Sequence, residues 1–525
     1  MFPETAFTHY PDMAMALYVL LSNLTYYFLD WEEREMNVDQ ISGEFDYQIL
    51  NLDSKFQFGL QHSTAEFYQP NNYSYVYYTA NEGEVPYMDT RITNNIANRL
   101  KSDDVLDAMY LKNRHKLNVF REDEYIEYGI NMSSKERISR TTRLSLDNTN
   151  YTFLKDTDLV MDIDTLYSAF ALPAYPYEYR PFILTTRFQA ADYFDGYIDE
   201  KSPYVSWMSR PFEDFEVVLG LRYVNLDQTI YQYKEDFENN SRAIVREKST
   251  LVIDDLFPSF SLKYKYDDKN IFDIAASKTY IMPDMREATE GKYSHPTEVA
   301  SIIGNPELVN TLIYSFDFKY SYFFSDDENV KLGLFYKYMD KPIEDAQLAT
   351  SSLPLYTFIN SDNATLYGFE IDGRKKLDFI NKSLAQYYVS GNFSYNFSEV
   401  SLTEEQKEKY TSDKRDLQGL SPYVLNVTLG YENEKRSASL NFNYMSERIR
   451  KIGVISQFEQ PDQYETPPML LDFAWIEKFN YGYDFEFKSK IGNILDQKTE
   501  WKEGENITRS FNNGRTLSMS LSAKF

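Results

Sequence analysis

Few residues in this chain have the type and spacing for catalysis. Its four histidines, His9, His62, His115 and His295, stand too far apart in sequence for metal-ligand spacing. Cysteine is absent, so neither a thiolate metal site nor a disulfide framework can form. No glycine-rich phosphate loop, GxSxG nucleophile elbow or HExxH motif occurs. A hydrolase would need a Ser–His pair, for which His115 and His295 are the candidates. The plainer reading of every histidine is a loop or lumen side chain without a ligand role. The pattern predicts no enzyme, no catalytic residue, no bound metal and no cofactor.

Binding chemistry is better represented. The segment Ala174-Tyr-Pro-Tyr-Glu-Tyr-Arg-Pro181 sets Tyr175, Tyr177, Tyr179 and Arg180 on a stiff, proline-bounded stretch. Aromatic faces beside one cation suit an amphipathic or anionic ligand such as a metal chelate. Tyrosine is abundant everywhere in the chain, so loop packing accounts for the same residues. A second candidate is Arg286, with Lys292 and His295, in the segment after Pro283. Glu370, Asp372 and Arg374 alternate along one strand face, where they could hold an inner domain or form a solvated wall, the simpler reading.

The elements that must carry these residues are strands. The last ten residues alternate without a break: Leu517, Met519, Leu521, Ala523 and Phe525 on one face, Ser518, Ser520, Ser522 and Lys524 on the other. That is the length of a tilted strand crossing a bilayer, with one apolar face and one wettable face. Residues 312–324 repeat the pattern with Leu312, Tyr314, Phe316, Phe318, Tyr320, Tyr322 and Phe324 outward. After the turn at 325–328, Val330, Leu332, Leu334, Tyr336 and Tyr338 form the next apolar face. Similar segments start at 45–49, 56–60 and 126–132 and continue through 215–223 to 485–491. With a weak strand near Leu117, and one at 355–359 merged into its neighbour, about 17 strands are expected.

The connections alternate in length. Residues 50–53, 210–213, 267–269, 325–328, 379–382 and 433–436 are short. Residues 64–110, 146–191, 232–256, 283–306, 401–420, 451–468 and 497–514 are long. Short turns at one end and long loops at the other are the plan of an outer-membrane barrel, turns in the periplasm. The expected fold is therefore all-β, an antiparallel transmembrane β-barrel. The 46 Tyr and 37 Phe fit aromatic girdles. A soluble β-rich glycan-binding protein would need polar faces where these strands carry aromatics.

Net charge is −27, which excludes a nucleic-acid partner, because phosphate binding needs clustered Lys and Arg. No apolar run is long enough for a transmembrane helix, and 13–21 lacks the basic flank of an export signal, the first Lys or Arg being Arg34. Counting strands back from an inward-running last strand places 1–38 outside the cell as a loop segment. Residues 39–525 are then expected to form a partial barrel that begins inside an extracellular loop.

The order of several segments resembles the C-terminal barrel region of TonB-dependent outer-membrane transporters. They are Phe215-Glu-Val-Val-Leu-Gly-Leu-Arg-Tyr223, Phe257-Pro-Ser-Phe-Ser-Leu-Lys-Tyr264, Ala276-Ser-Lys-Thr-Tyr-Ile-Met-Pro-Asp-Met-Arg286, Gly304-Asn-Pro-Glu-Leu308, Ala364-Thr-Leu-Tyr-Gly-Phe-Glu-Ile371 and Ile491-Gly-Asn-Ile-Leu-Asp496. The resemblance spans residues 190–525, and 126–137 looks like an earlier strand. It implies a 22-stranded barrel with a plug in its lumen, preceded by a signal peptide and a TonB box. Relative to that family, the plug and the first strands are expected to be missing here. It also implies uptake of a scarce ligand, of the siderophore-iron, cobalamin, metal or glycan class. The implied location is the outer membrane of a Gram-negative bacterium, among lipid and lipopolysaccharide. TonB would be engaged only through the missing plug, and Phe525 would be the signal read by the barrel insertion machinery. The alternative is a passive diffusion porin, which should carry a constriction loop lined by opposed charges.

Overall fold

The computed structural model describes residues 23–29, 31–79, 87–88, 96–117, 119–120, 124–148, 182–186, 192–236, 243–294, 300–349, 355–455 and 460–524. His9, His295, Phe525 and the segment with Tyr175, Tyr177, Tyr179 and Arg180 lie outside the described residues. Among those described, one antiparallel sheet forms the wall. We number its full-length strands β1 (Glu33–Ile49), β2 (Leu52–Thr79), β3 (Ile96–Lys116), β4 (Tyr125–Asn148), β5 (Tyr193–Phe212) and β6 (Phe215–Asp236). Next come β7 (Ala243–Lys265), β8 (Asn270–Ile281), β9 (Thr311–Ser325), β10 (Glu328–Asp340), β11 (Asn363–Lys376) and β12 (Tyr387–Ser401). The last are β13 (Tyr423–Glu432), β14 (Arg436–Met445), β15 (Leu470–Asn480), β16 (Asp484–Gly492) and β17 (Thr516–Lys524). Seventeen strands agree with the count from alternation.

Register keeps like faces together. Phe316 pairs with Ala276 on one side and Tyr336 on the other, and Tyr336 with Tyr367, which pairs with Phe397. The apolar residues of five adjacent strands thus form a continuous belt, with Tyr367 and Phe397 stacked at 5.3 Å. A one-residue slip would carry this whole set into the lumen. At the last strand Leu517, Met519 and Leu521 are 63–65% exposed, as expected of lipid-facing side chains. Leu521→Arg should therefore destabilise the folded wall by about 2–4 kcal/mol in a bilayer titration, while Ser520→Arg on the lumen face should cost far less. Equal costs would contradict this assignment of faces.

Several strands run well past the alternating pattern. Residues 64–110, expected as a long loop with a weak strand near Leu117, are mostly ladder: β2 reaches Thr79, β3 starts at Ile96 and ends at Lys116, and they pair from Ser54–His115 to Ser74–Ile96. Likewise β6 and β7 stay paired up to Asp236–Ala243, where 232–256 was expected to be loop. Beyond the apolar belt both faces are wet, so sequence alternation disappears while backbone pairing continues. The same holds at the start: β1 begins at Glu33, inside the expected loop segment 1–38, and Asn23–Leu29 continues the pairing along Tyr73–Thr79.

Above the Ser259–Ser277 pair, β7 and β8 no longer pair. There the tip of β8 lies over the lumen face of β7: Tyr280 meets Phe257 at 5.0 Å, and Lys278 pairs with Asp255. Val224, Leu226, Ile253 and Phe257 close this overlap as a small apolar core.

The long connections of the second half form a cap. Residues 355–359, expected to merge into a wall strand, instead pair with 343–348 in a four-stranded sheet of their own. A second four-stranded sheet joins Arg448–Lys451, Gln463–Thr466, Thr499–Glu503 and Asn506–Phe511. The Ala346–Ile452 bridge links the two, and Ala346, Leu402, Tyr410 and Ile452 make their shared core. Pairing of β1 and β17 to each other, which would close the wall, does not occur among the described residues.

Candidate functional site

At the long-loop end the chain leaving β8 turns inward over the lumen face of β5 and β6. Pro283 stops the ladder, lacking an N–H. Asp284 then starts a turn by accepting from the Arg286 N–H at 2.9 Å, and the Ala288 N–H reaches the Asp284 carbonyl at 3.1 Å. Met285 drops into the notch left by Gly196, packed against Phe194, Ile230 and Ala288, and any Cβ at 196 would collide with it. Two buried lumen-face glutamines fix the segment: Gln228 donates to the Pro283 carbonyl at 3.1 Å, and Gln232 accepts from the Glu290 N–H at 2.8 Å. Gly304 passes so close to the carbonyls of Arg286, Glu287 and Thr289 that a Cβ there would strike all three.

Three arginines gather around this segment. Arg137 makes a two-pronged contact with Asp104 at 2.7 and 2.8 Å and reaches Asp284 at 3.1 Å. Arg143 is held by Asp192 at 2.7 Å, both buried, and donates to the Lys292 carbonyl. Arg286 differs. Its guanidinium lies 3.7 Å above the ring of Tyr293, and among the described residues no carboxylate bonds to it. Burial pushes its pKa down; Asp284 and Tyr293 oppose that, and Arg137 and Arg143 add to it. Burial also pushes the Tyr293 phenol up to about 12, so its hydroxyl stays neutral and its ring keeps a π face for the cation. A half-buried guanidinium without a carboxylate among the described residues, stacked on a ring, has donors suited to a carboxylate, phosphate or phenolate oxygen.

Of the residues singled out from sequence, Arg286 thus lies in this arginine cluster. Arg137, Arg143 and Asp284 escaped sequence reasoning. The two arginines sit six apart on one strand face, a weak signal that only the incoming loop makes meaningful. Asp372 and Arg374 do lie on the lumen face, paired with Lys331 at 3.0 Å and Glu432 at 3.1 Å, which is the solvated wall. His115 does meet a serine: Ser54 Oγ lies 2.7 Å from Nδ1. Its Nε2, however, faces the Tyr128 hydroxyl at 3.1 Å instead of an orienting carboxylate, among Tyr47 and Asn113 at the short-turn end of the outer face. That constellation is an aromatic girdle with a hydrogen-bonded imidazole. His62 bonds Asp107 at 2.8 Å on the same face. Groups of acidic and histidine residues able to hold a metal are absent among the described residues.

The chain is similar in fold to solved uptake receptors and to a transporter. The ferric yersiniabactin uptake receptor FyuA from Yersinia pestis superposes with a TM-score of 0.51 at 11% identity, over 94% of this chain and 68% of its own. The siderophore receptor PiuA from Acinetobacter baumannii gives 0.52 at 11% identity, over 90% of this chain and 64% of its own. The copper transporter OprC gives 0.54 at 11% identity, over 94% and 74%. The chain therefore spans about two thirds to three quarters of the length of these proteins, and at such identity the likeness is one of fold. No curated protein matches the sequence. Residues 22–492, nearly the whole wall, match the family model described as TonB dependent receptor-like, beta-barrel, and the chain belongs to that family.

Proposed function

We propose that this chain is the wall of an outer-membrane uptake receptor that captures a scarce anionic ligand, such as a metal chelate, at its long-loop end. The long loops then face the outside of a Gram-negative cell, and the short turns and Phe525 face the periplasm, where insertion machinery would read that aromatic end. Lipid and lipopolysaccharide would surround the apolar belt. The carrying observation is Arg286, the guanidinium left without a carboxylate where Arg137 and Arg143 beside it are both paired. Tyr175, Tyr177, Tyr179 and Arg180, outside the described residues, are offered as further ligand contacts on their chemistry alone. The printed ligands of the structural neighbours, siderophores and copper, support the metal-chelate class. Coupling to TonB would need a plug in the lumen. A passive porin is disfavoured by the family match.

Whole-cell uptake of ferric citrate, ferric siderophores and copper, measured with and without Arg286→Gln, tests this reading. Losing a charge-assisted hydrogen bond of about 1.5–3 kcal/mol should weaken binding of the true ligand by roughly 10- to 100-fold. The amount of protein in the membrane should not change. Arg286→Lys should recover part of the loss, because the charge returns without the fork. Unchanged uptake in Arg286→Gln for every ligand carried would remove Arg286 from the site.

A further inference from the structure

Below the Arg286 turn, on the same sector of wall, lies a cavity of about 370 Å³ at the point where β7 and β8 part. Its floor is a row of small residues directly opposite one another across four strands, Ser206, Gly220, Ser259 and Ser277. A Cβ at 220 would collide with the Ser259 hydroxyl, so glycine keeps the row open. Arg222 rises from the next row, its guanidinium 5.3 Å from the Tyr204 ring.

Several lumen cations in this wall are neutralised. Lys319 pairs with Asp273, Lys331 with Asp372, Lys490 with Asp472 and Arg114 with Glu127. Arg222 has no carboxylate partner among the described residues, while lining the cavity. Of the nearby acidic groups, Asp255 pairs with Lys278 and Glu127 with Arg114, while Glu200 accepts from the Ser202 hydroxyl and keeps its charge. A free guanidinium over an aromatic ring, facing serine hydroxyls in a space of this size, has the donors to bind an oxyanion.

We propose that the Arg222 cavity is a second, lumenal binding station for a carboxylate- or phosphate-bearing ligand, one step inward from Arg286. This rests on the uptake reading for its direction of travel, but the anion site itself does not. An anion released from the mouth would meet Arg222 next, with the apolar overlap of Val224, Leu226, Ile253 and Phe257 between the two.

The chain has no cysteine, so a single introduced thiol reports this site alone. Ser277→Cys, in outer membranes, is labelled with an anionic sulfonatoethyl and a cationic trimethylammonium-ethyl methanethiosulfonate. Ser394→Cys, on the lumen face of a distant strand, is the control. The anionic-to-cationic rate ratio at position 277 is expected to exceed that of the control by about fivefold or more, reflecting local potential. It should fall to the control value in Arg222→Gln and persist in Arg222→Lys. Citrate and inorganic phosphate should protect position 277 saturably. Chloride at equal ionic strength should not.

Equal ratios at 277 and 394, or equal protection by chloride, would overturn the proposal, since screening alone would explain the latter. If Arg222→Gln fails to assemble, the ratio and the citrate protection in the Arg222 protein still decide. Saturable protection at 277 together with failed uptake would sink the uptake function and leave the anion site. Normal uptake with no protection would do the reverse.

Discussion

Replacing Arg415 by alanine is expected to unlock the cap over the long-loop end, lowering its local stability by about 3–5 kcal/mol. Arg415 Nη2 lies 2.6 Å from Glu344 Oε2, and the two side chains are only 2% and 3% exposed. Ser361 donates to the same oxygen at 2.5 Å. Truncation would leave a carboxylate in a space built to exclude water, beside the core of Ala346, Leu402, Tyr410 and Ile452.

Burial already pushes the Glu344 pKa up, and Arg415 is the largest influence opposing that rise. Without the arginine the folded-state pKa should climb further above its unfolded value. A carboxyl whose folded pKa is raised is tolerated while protonated, so the variant cap should be best protected at acid pH and open as pH rises through that pKa. Hydrogen exchange of residues 343–360, 402–415 and 448–466 reads the effect directly, with the β9–β12 ladder as an internal control. Unchanged exchange across the pH range would refute it.

The double variant Glu344→Met with Arg415→Leu should lose far less than either single truncation. Replacing a buried pair by apolar side chains of similar size is often neutral or better. Here the pair is imperfect as well, because Arg415 Nε and Nη1 find no partner among the described residues.

The second large effect concerns the wall's two outer strands. β1 pairs with β2 and β17 with β16, and among the described residues their other edges carry no ladder. Both strands carry apolar, lipid-facing side chains, Ile41 and Phe45 on one and Leu517, Met519 and Leu521 on the other. Each unpaired backbone group facing hydrocarbon costs several kcal/mol, and β1 alone spans 17 residues. Residues 1–525 refolded alone in detergent should therefore give no stable, heat-modifiable species of family size. The amides of β1 and β17 should exchange in a form where those of β9 to β12 are protected. In native outer membranes the same edge amides should be protected by whatever strand pairs with them. A compact, heat-resistant species from this chain alone would disprove the prediction.

Fold class and face assignment were legible because the bilayer imposes a local code. Lipid on one side and water on the other force a period of two, so Leu312 to Phe324 and Val330 to Tyr338 declare their outward sets without knowledge of their partners. Register confirms those sets residue by residue, as Tyr314 opposite Tyr338 and Phe318 opposite Leu334 show. The turns at 325–328 and 433–436 announced themselves through clustered Asp, Asn and Glu. Where the belt ends, so does the code: 64–79 and 96–110 are strand only because they find each other, and nothing in either stretch alone says so.

The candidate site stood further from view. Arg286 could be picked out as a cation in a proline-marked loop, but its lack of a carboxylate depends on where Arg137, Arg143, Asp104 and Asp192 place their own partners. Those four come from three stretches of chain, and the side chains that pin the loop, Gln228 and Gln232, come from a fourth.

What the sequence determined by itself is the wall: an all-β membrane barrel region of about 17 strands, its lipid face and its long-loop end, since each follows from neighbours in the chain. What only the tertiary structure decided is which charges remain unspent. Pairing is a property of residues brought together from distant strands, and only there does it emerge that Arg286 and Arg222 have no carboxylate partner among the described residues.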